Sequence, residues 1–437
     1  MTERVLLVGG GGREHAIARA IAGSDHNADL YACASNRNPG IDRLAAAYET
    51  LDENDPDAVL EYAESVDATL ATIGPETPLD TGVTNVLDEA GIYTFAPRQA
   101  EAQLECDKSF QREFMAEHGI PGTPNFAVFE DVEAACDYVE AYDGDVAVKP
   151  HGLTGGKGVR VTGDQLTKAE AVEYMRESDW DDWVIEERLI GEEFTIQAFV
   201  ADGDLRTTPA VQDHKRAYEG DEGPNTGGMG SYSGAADALP FMDEGDYADA
   251  VAIMEDTVEA LPAYKGVLYG QFMLTAEGPT VVEFNARFGD PEAMNTLPVL
   301  ETDVLDVLIA ARDGDPLPEL EFAGQATVCK YAVPDGYPTD PEGGTRIAVD
   351  EESAGDALLF YASVDAREDG IYTTTSRSFA VVGVADSIDE AEGIAEDALA
   401  AAGEGLRIRH DIGTSDLVKQ RIENVRDLRG RHTPGHE

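Results

Sequence analysis

Two short runs carry the residue types that phosphate chemistry requires. In Val282–Asp290, VEFNARFGD, a strand's alternation would put Glu283, Asn285 and Arg287 on one face, with Val282, Phe284 and Phe288 on or near the other. Two oxygen ligands and a guanidinium in a row suit a magnesium–phosphate site, because hard oxygens hold the cation and arginine pairs with phosphate oxygens. The second run, QDHKRAYEGDEGPNTGGM, spans Gln212–Met229. If its start is extended, Asp213 and Lys215 share a face, the first suited to a substrate ammonium and the second to a carboxylate or phosphate. Asn225, Thr226, Gly227 and Gly228 follow, and glycine's close approach would let free backbone amides there meet an anion. A polar surface loop is the plainer alternative.

Between the strand DVAVKP and the strand VRVTG lies His151–Gly158, HGLTGGKG, with Gly155, Gly156 and Lys157 at its tip. A Walker A loop would need GK[ST] opening a helix, so this is expected to be a hairpin lid whose Lys157 closes over triphosphate oxygens, with Lys149 pointing into the same space. An ordinary hairpin turn is the alternative. In VIEERLIGEE, the strand edge from Glu186 and Glu187 to Leu189 could offer backbone groups to an adenine, and Glu193 could accept from ribose hydroxyls. Glutamates are common throughout so acidic a chain, so this run is weaker.

The elements that must position these groups can also be read. Residues 4–8, RVLLV, break into Gly9, Gly10, Gly11 and Gly12 and then a helical run, which is the strand–glycine turn–helix opening of a doubly wound α/β unit. Further strands are expected at 29–34 and 69–73, and helices at 56–65 and 80–90. Glu14 stands where a dinucleotide fingerprint has its third glycine, so the turn is expected to cradle a phosphate and not a nicotinamide cofactor. A helix from Asp107 to His118 should place Phe110 and Phe114 on one stripe and stop at Gly119. Residues 122–190 form a small unit. From 192 to about 315 strands give way to helices, 312–325 reads as a linker, and 326–428 as a separate α+β module. There Ser387 and Glu390 make a capping box. The end from Arg429 reads as a frayed tail.

At 437 residues the chain exceeds one ordinary domain, and its 87 acidic against 31 basic residues give a formal charge of −56. The regular apolar periodicity argues against disorder. A folded protein adapted to a very salty cytosol is expected instead, since at about 1 M salt the screening length falls to roughly 3 Å. So strong a polyanion is not expected to bind nucleic acid. Five of the eight lysines, Lys108, Lys149, Lys157, Lys215 and Lys330, fall in or beside polar motifs or strands. The four cysteines, Cys33, Cys106, Cys136 and Cys329, are too dispersed for a disulfide framework or a zinc site. No export signal and no membrane span is read, so a cytoplasmic protein is expected.

Together these motifs resemble the glycinamide ribonucleotide synthetase family of ATP-grasp ligases. The resemblance covers nearly the whole chain: GGGGREHAIA, IGPETPLDTGV at 73–83, LTGGKGV, QDHKRAYEGDEGPNTGGMGSYS, VEFNARFGDPE and RHDIG. It implies an α/β and α+β multidomain fold. An N-terminal doubly wound parallel-sheet domain (1–103) would bind phosphoribosylamine. An ATP-grasp core (104–121 and 191–320) would carry a small lid subdomain (122–190), followed by a C-terminal α+β domain (326–428) and a tail (429–437). It also implies that glycine, 5-phosphoribosylamine and ATP are the substrates, with Mg2+ or Mn2+ as the metal; a monomer is expected, although the sequence does not fix the oligomeric state. Glycine's carboxylate would attack the γ-phosphate, and the ribosylamine would displace phosphate from glycyl phosphate. The resemblance assigns Glu283, Asn285 and Gln271 to the metal, and Lys108, Lys149 and Lys157 to ATP phosphates. Gly9–Gly12 and Glu14 fall to the ribosylamine, and Arg287, Asp213 and Lys215 to glycine and the acyl phosphate. The chain departs from the family pattern at His151, where Asp is usual, and at Gln271, where a carboxylate is frequent in related enzymes. It departs again around Arg377, where TTTSRSF replaces a Gly-Gly-Arg turn. Another ATP-grasp ligase of the purine pathway, or a non-catalytic nucleotide binder of the same fold, would share part of these motifs.

Overall fold

The computed structural model describes residues 2–152, 158–399 and 406–432. The N-terminal part is a five-stranded parallel sheet with the order Ala47–Thr50, Ala28–Ala34, Glu3–Val8, Leu70–Ile73, Tyr93–Phe95. Val5 to Val8 are fully buried because both faces of the sheet are covered, which is why the strand reads as a continuous apolar run. The chain steps outward on opposite sides of Glu3–Val8, and such a reversal opens a crevice at the carboxyl ends of the strands. The helix Pro56–Ser65 starts where expected, with Asp55 accepting from the amides of Asp57 and Ala58. The single helix expected at 80–90 is instead two, Thr77–Asp80 and Val83–Glu89. Gly82, at φ 86°, takes the left-handed turn that separates them.

Asp107 caps the helix Lys108–His118 by accepting from the Phe110 amide, and Gly119 ends it at φ 65°. Phe110 and Phe114 stack on its face, with ring centroids 5.8 Å apart. The next unit is a four-stranded sheet ordered Phe126–Phe129, Trp183–Glu187, Val146–Pro150, Arg160–Val161. Helices Val132–Ala141 and Lys168–Glu177 cover it, and Cys136, Val148, Val172, Met175 and Trp183 belong to a core of its own.

A ten-stranded sheet dominates the rest, running Gly278–Asn285, Gly266–Thr275, Glu192–Ala201, Val211–Asp213, Gly230–Ser233, Ala326–Pro334, Phe379–Ala385, Leu358–Tyr361 along its main path, beside a two-stranded and a three-stranded sheet. The residues beyond 326, expected as a separate module, are therefore not separate in their hydrogen bonding. Ala326–Pro334 pairs directly with Gly230–Ser233, Tyr232 opposite Val328. Alternating burial could not reveal this, because every residue from Ala326 to Pro334 is buried and gives no period to read. The expected capping box has the Glu390 amide donating to Ser387 Oγ at 3.3 Å. Of the residues expected as a tail from Arg429, those up to His432 belong to the last helix, Ser415–His432, and Arg429 forms ion pairs with Asp243 and Asp246; the others lie outside the described residues.

Candidate active site

The crevice of the parallel sheet opens onto the edge of the large sheet, and the two enclose a cavity of about 410 Å3. From the first come Gly10–Glu14 after Glu3–Val8, Ser35 and Asn36 after Ala28–Ala34, and Pro75 and Glu76 after Leu70–Ile73. From the second come Asp213, Lys215, Glu283, Asn285 and Arg287, with Lys108 from the helix between. Ala362, Ser363, Ser376 and Arg377 close the remaining side.

The strand Gly278–Asn285 stops before Arg287, so the expected alternation does not carry that residue onto the shared face. A bend past the strand end brings Arg287 into the same cavity. There its Nη2 lies 2.8 Å from Glu105 Oε1, and its Nε lies 3.5 Å from Glu76 Oε2. Burial raises Glu105 to about 7 against the pull of Arg287. A second irregularity lies upstream, where pairing shifts from Gln271–Glu283 to Phe272–Val281 and leaves Val282 bulged. The freed Val282 carbonyl accepts from Arg112 Nη2 at 2.6 Å and from Lys149 Nζ at 3.1 Å.

Burial would raise Glu283, but Lys215, Lys149 and Lys108 bring it down to about 2, so it is ionised. Asn285 Nδ2 donates to Glu283 Oε1 at 3.5 Å. A carboxylate and an amide oxygen fit a hard divalent cation that takes its remaining ligands from phosphate. Among the described residues there is no group of three or more His, Cys, Asp or Glu that could hold a metal ion. Gln271, also expected at the metal, has both of its side-chain polar atoms engaged. It is not part of the cavity wall; its Oε1 accepts from Lys215 Nζ at 2.5 Å and its Nε2 donates to Glu193 Oε2 at 2.8 Å. Gln271 and Glu193 thus hold Lys215 from behind.

Asp213 and Lys215 both face the cavity, as expected of the extended run. Asp213 Oδ1 is buried without a hydrogen-bond partner, and burial together with the neighbouring Glu292 pushes its carboxyl well up. A positively charged group placed beside it would relieve both. Of the following loop, Thr226 and Gly227 line the cavity, whereas Asn225 lines a different cleft beside Arg160 and Arg216. The free amides expected there are not free. Thr226 N donates to Lys215 O, Gly228 N to Thr226 Oγ1 and Met229 N to His214 O, so the loop spends its donors in holding the QDHKR run. Arg377 then donates to the carbonyls of Gly227, Gly228 and Asp290, which gives the altered TTTSRSF loop a clear place in the wall.

The strand edge expected at Glu186 and Glu187 is not an edge. Trp183–Glu187 lies between two partners, Phe126–Phe129 and Val146–Pro150, and unpaired backbone begins only near Leu189. Glu186 is buried against Arg112 at 2.7 Å and Lys149 at 2.8 Å, and Glu187 accepts from Asn125. Lys149 therefore sits behind the cavity wall, while Lys108 lines it and donates to the Gly152 carbonyl at 2.5 Å. His151 Nδ1 is 3.4 Å from Asp107 Oδ1. Gly155, Gly156 and Lys157 lie outside the described residues.

At the glycine turn, Gly10, Gly11 and Gly12 line the cavity, and Gly9, at φ 117°, makes the bend. Glu14 also lines it but is committed to the turn, accepting from Gly11 N at 2.7 Å and Arg13 Nε at 2.6 Å. This is the glutamate half of a capping box, since Gly11 has no side chain to return the bond, and it gives a glutamate a role where a fingerprint would have glycine.

Family descriptions for phosphoribosylglycinamide synthetase match the chain in three parts: the N domain at 3–105, the ATP-grasp (A) domain at 106–293 and the C domain at 327–415. The chain belongs to the phosphoribosylglycinamide synthetase family. A phosphoribosylamine–glycine ligase of Methanosarcina barkeri is 51% identical over 436 residues, covering 98% of this chain and 100% of that relative. The protein of the same name from Methanopyrus kandleri is 50% identical over 446 residues, covering 98% and 99%. The crystal structure of a phosphoribosylamine–glycine ligase from Thermotoga maritima superposes with a TM-score of 0.79 at 26% identity, covering 94% of this chain and all of that one. A biotin carboxylase from Campylobacter jejuni shares the fold alone, with a TM-score of 0.73 at 15% identity.

All three matched parts of the phosphoribosylglycinamide synthetase fold contribute to the cavity. Sequence reasoning missed Arg13, Glu76, Glu105, Asp290 and Glu292. Arg13, Glu76, Asp290 and Glu292 stand inside motifs that were recognised, in GREH, GPET and FGDPE, so position in a motif was their available signal. Glu105 had none, since it lies in the helix Gln99–Cys106 and reaches Arg287 only through the fold.

Proposed function

We propose that this cavity joins glycine to 5-phosphoribosylamine with cleavage of ATP, giving glycinamide ribonucleotide, ADP and phosphate as a step of purine synthesis, by way of glycyl phosphate. The observation that carries this reading is the meeting of the glycine turn, three cations (Lys108, Lys215, Arg287) and the Glu283–Asn285 pair in one cavity. A glycine carboxylate oxygen attacks the γ-phosphorus, the bond to ADP breaks, and the acyl phosphate forms. The ribosylamine nitrogen then attacks the acyl carbon, phosphate leaves with the former carboxylate oxygen, and the nitrogen loses a proton.

Asp213 and Glu292 receive the glycine ammonium, which would give the buried, unpartnered Asp213 Oδ1 its partner. Lys215 and Arg287 face the carboxylate and the acyl phosphate, where fixed charge lowers the barrier without reorganising. Glu283 and Asn285 would hold Mg2+ or Mn2+, whose bound form neutralises triphosphate charge. Lys108 joins them on the phosphates, with Lys149 behind and Lys157 carried by the lid. The backbone beyond Glu186 and Glu187, at Leu189, is left for the adenine. Gly9–Gly12 and Glu14 form the ribosylamine side, with Thr226 to Gly228 between the two halves and Asn225 outside them.

No described helix is long and apolar enough to cross a membrane. The charge of −56 supports a protein adapted to a salt-rich cell, without affinity for nucleic acid. The test is ADP formation in molar potassium chloride with each substrate omitted in turn. ADP release is expected to need glycine and phosphoribosylamine, with neither bicarbonate nor formate substituting. Release sustained by bicarbonate or formate would overturn the reading.

A further inference from the structure

Asn38 is fully buried and does not line the cavity, yet it holds two parts of the wall together. Its Nδ2 donates to Gly10 O at 3.0 Å on the glycine turn, and to Tyr361 O at 2.9 Å and Ala362 O at 3.1 Å on the far C-terminal segment. Its Oδ1 faces the other way and accepts from the amides of Gly40 and Ile41, capping the helix Pro39–Leu44. Two residues earlier, Asn36 repeats the bridge, donating to Gly10 O at 3.1 Å and Val364 O at 2.7 Å. His15 adds a third tie: its Nδ1 accepts from the Tyr361 amide at 2.9 Å, and its ring packs 5.5 Å from that of Phe360. Burial keeps that ring neutral, with its pKa lowered to about 3, so Nδ1 retains the lone pair the bond needs. The segment held this way carries Ala362 and Ser363, which face Gly10 and Gly11 across the cavity.

We infer that Asn38, supported by His15, is a positioning residue for phosphoribosylamine, clamping Tyr361–Val364 to the glycine turn and so fixing the width of that half of the cavity. The inference rests on the reading that the ribosylamine lies against the glycine turn. A clamp differs from a helix cap in which atom matters: the cap uses Oδ1, the clamp Nδ2.

Asn38→Ser separates the two, because a serine oxygen still caps the helix while the paired donor is lost. It is expected to raise KM for phosphoribosylamine by about tenfold, with KM for ATP and for glycine changed less than about twofold, since a loosened wall misplaces one substrate only. His15→Leu is expected to do the same, and His15→Asn, whose oxygen can take the Tyr361 amide, to restore the lower KM. An unchanged phosphoribosylamine KM in Asn38→Ser, or equal rises for all three substrates, would overturn the clamp. If Asn38→Ser does not fold, the His15 pair decides: indistinguishable Leu and Asn variants refute it. Gly11→Ala, a change in the wall itself, separates this from the underlying reading. A raised phosphoribosylamine KM there with none in Asn38→Ser sinks only the clamp, and no rise in either sinks the placement of the ribosylamine.

Discussion

Arg287 is held by the buried Glu105 and the half-buried Glu76, which fix its charge in the cavity wall. Such preorganisation predicts that Arg287→Ala lowers turnover by roughly 10²–10³, and a loss below about threefold in steady-state assays would remove it from the mechanism. The type and spacing of Glu283, Asn285 and Arg287 were legible in the sequence, but the reason was not: the strand ends at Asn285 and a bend delivers the arginine. The engagement of Gln271 with Lys215 and Glu193 was not legible either, since a side chain's periodicity does not say which of its atoms are already engaged. His214, between Asp213 and Lys215, offers a pH test. It is buried with neither ring nitrogen hydrogen-bonded, and burial lowers its pKa to about 3. Below pH 6.5 the unfolded chain takes a proton that the native ring refuses, so stability falls as pH drops toward 3. His214→Leu should flatten the fall between pH 6 and pH 4 by up to about 1.4 kcal/mol per pH unit. Parallel urea-melt curves for the two proteins would contradict this.

Elements were easiest to read where local chemistry dictates them. Asp55 before Pro56, Asp107 and Gly119 around a helix, and glycines after an apolar strand each act within a few residues. Pairing between distant strands has no such signal. Trp183–Glu187 was taken for an edge although it has neighbours on both sides, and nothing local showed that Ala326–Pro334, where the C-terminal unit begins, also extends the large sheet. That continuity has a consequence for folding. A chain ending at Asp315 would leave Gly230–Ser233 as an unpaired, buried-type edge directly behind the QDHKR run, and such edges aggregate. The truncated chain is expected to be insoluble or to lack cooperative unfolding by circular dichroism. A soluble fragment that unfolds cooperatively and binds ATP would show that the C-terminal strands are dispensable for the core.

At the scale of the molecule, 87 acidic residues repel one another over most of the surface, while the cavity gathers Arg13, Lys108, Lys215, Arg287 and Arg377. The polyanion predicts a melting temperature that rises steeply from dilute buffer to molar potassium chloride, and full stability in dilute buffer would contradict salt adaptation. Those five basic groups stand among eight carboxylates of the cavity wall, and on the proposed reaction they would offset the repulsion between a carboxylate and a triphosphate brought together there. The most direct test of that chemistry follows an oxygen atom. With glycine labelled by 18O in its carboxylate, turnover with ATP and phosphoribosylamine should place one labelled oxygen in the phosphate released. Phosphate free of label, at a normal yield of glycinamide ribonucleotide, would mean that glycyl phosphate never forms.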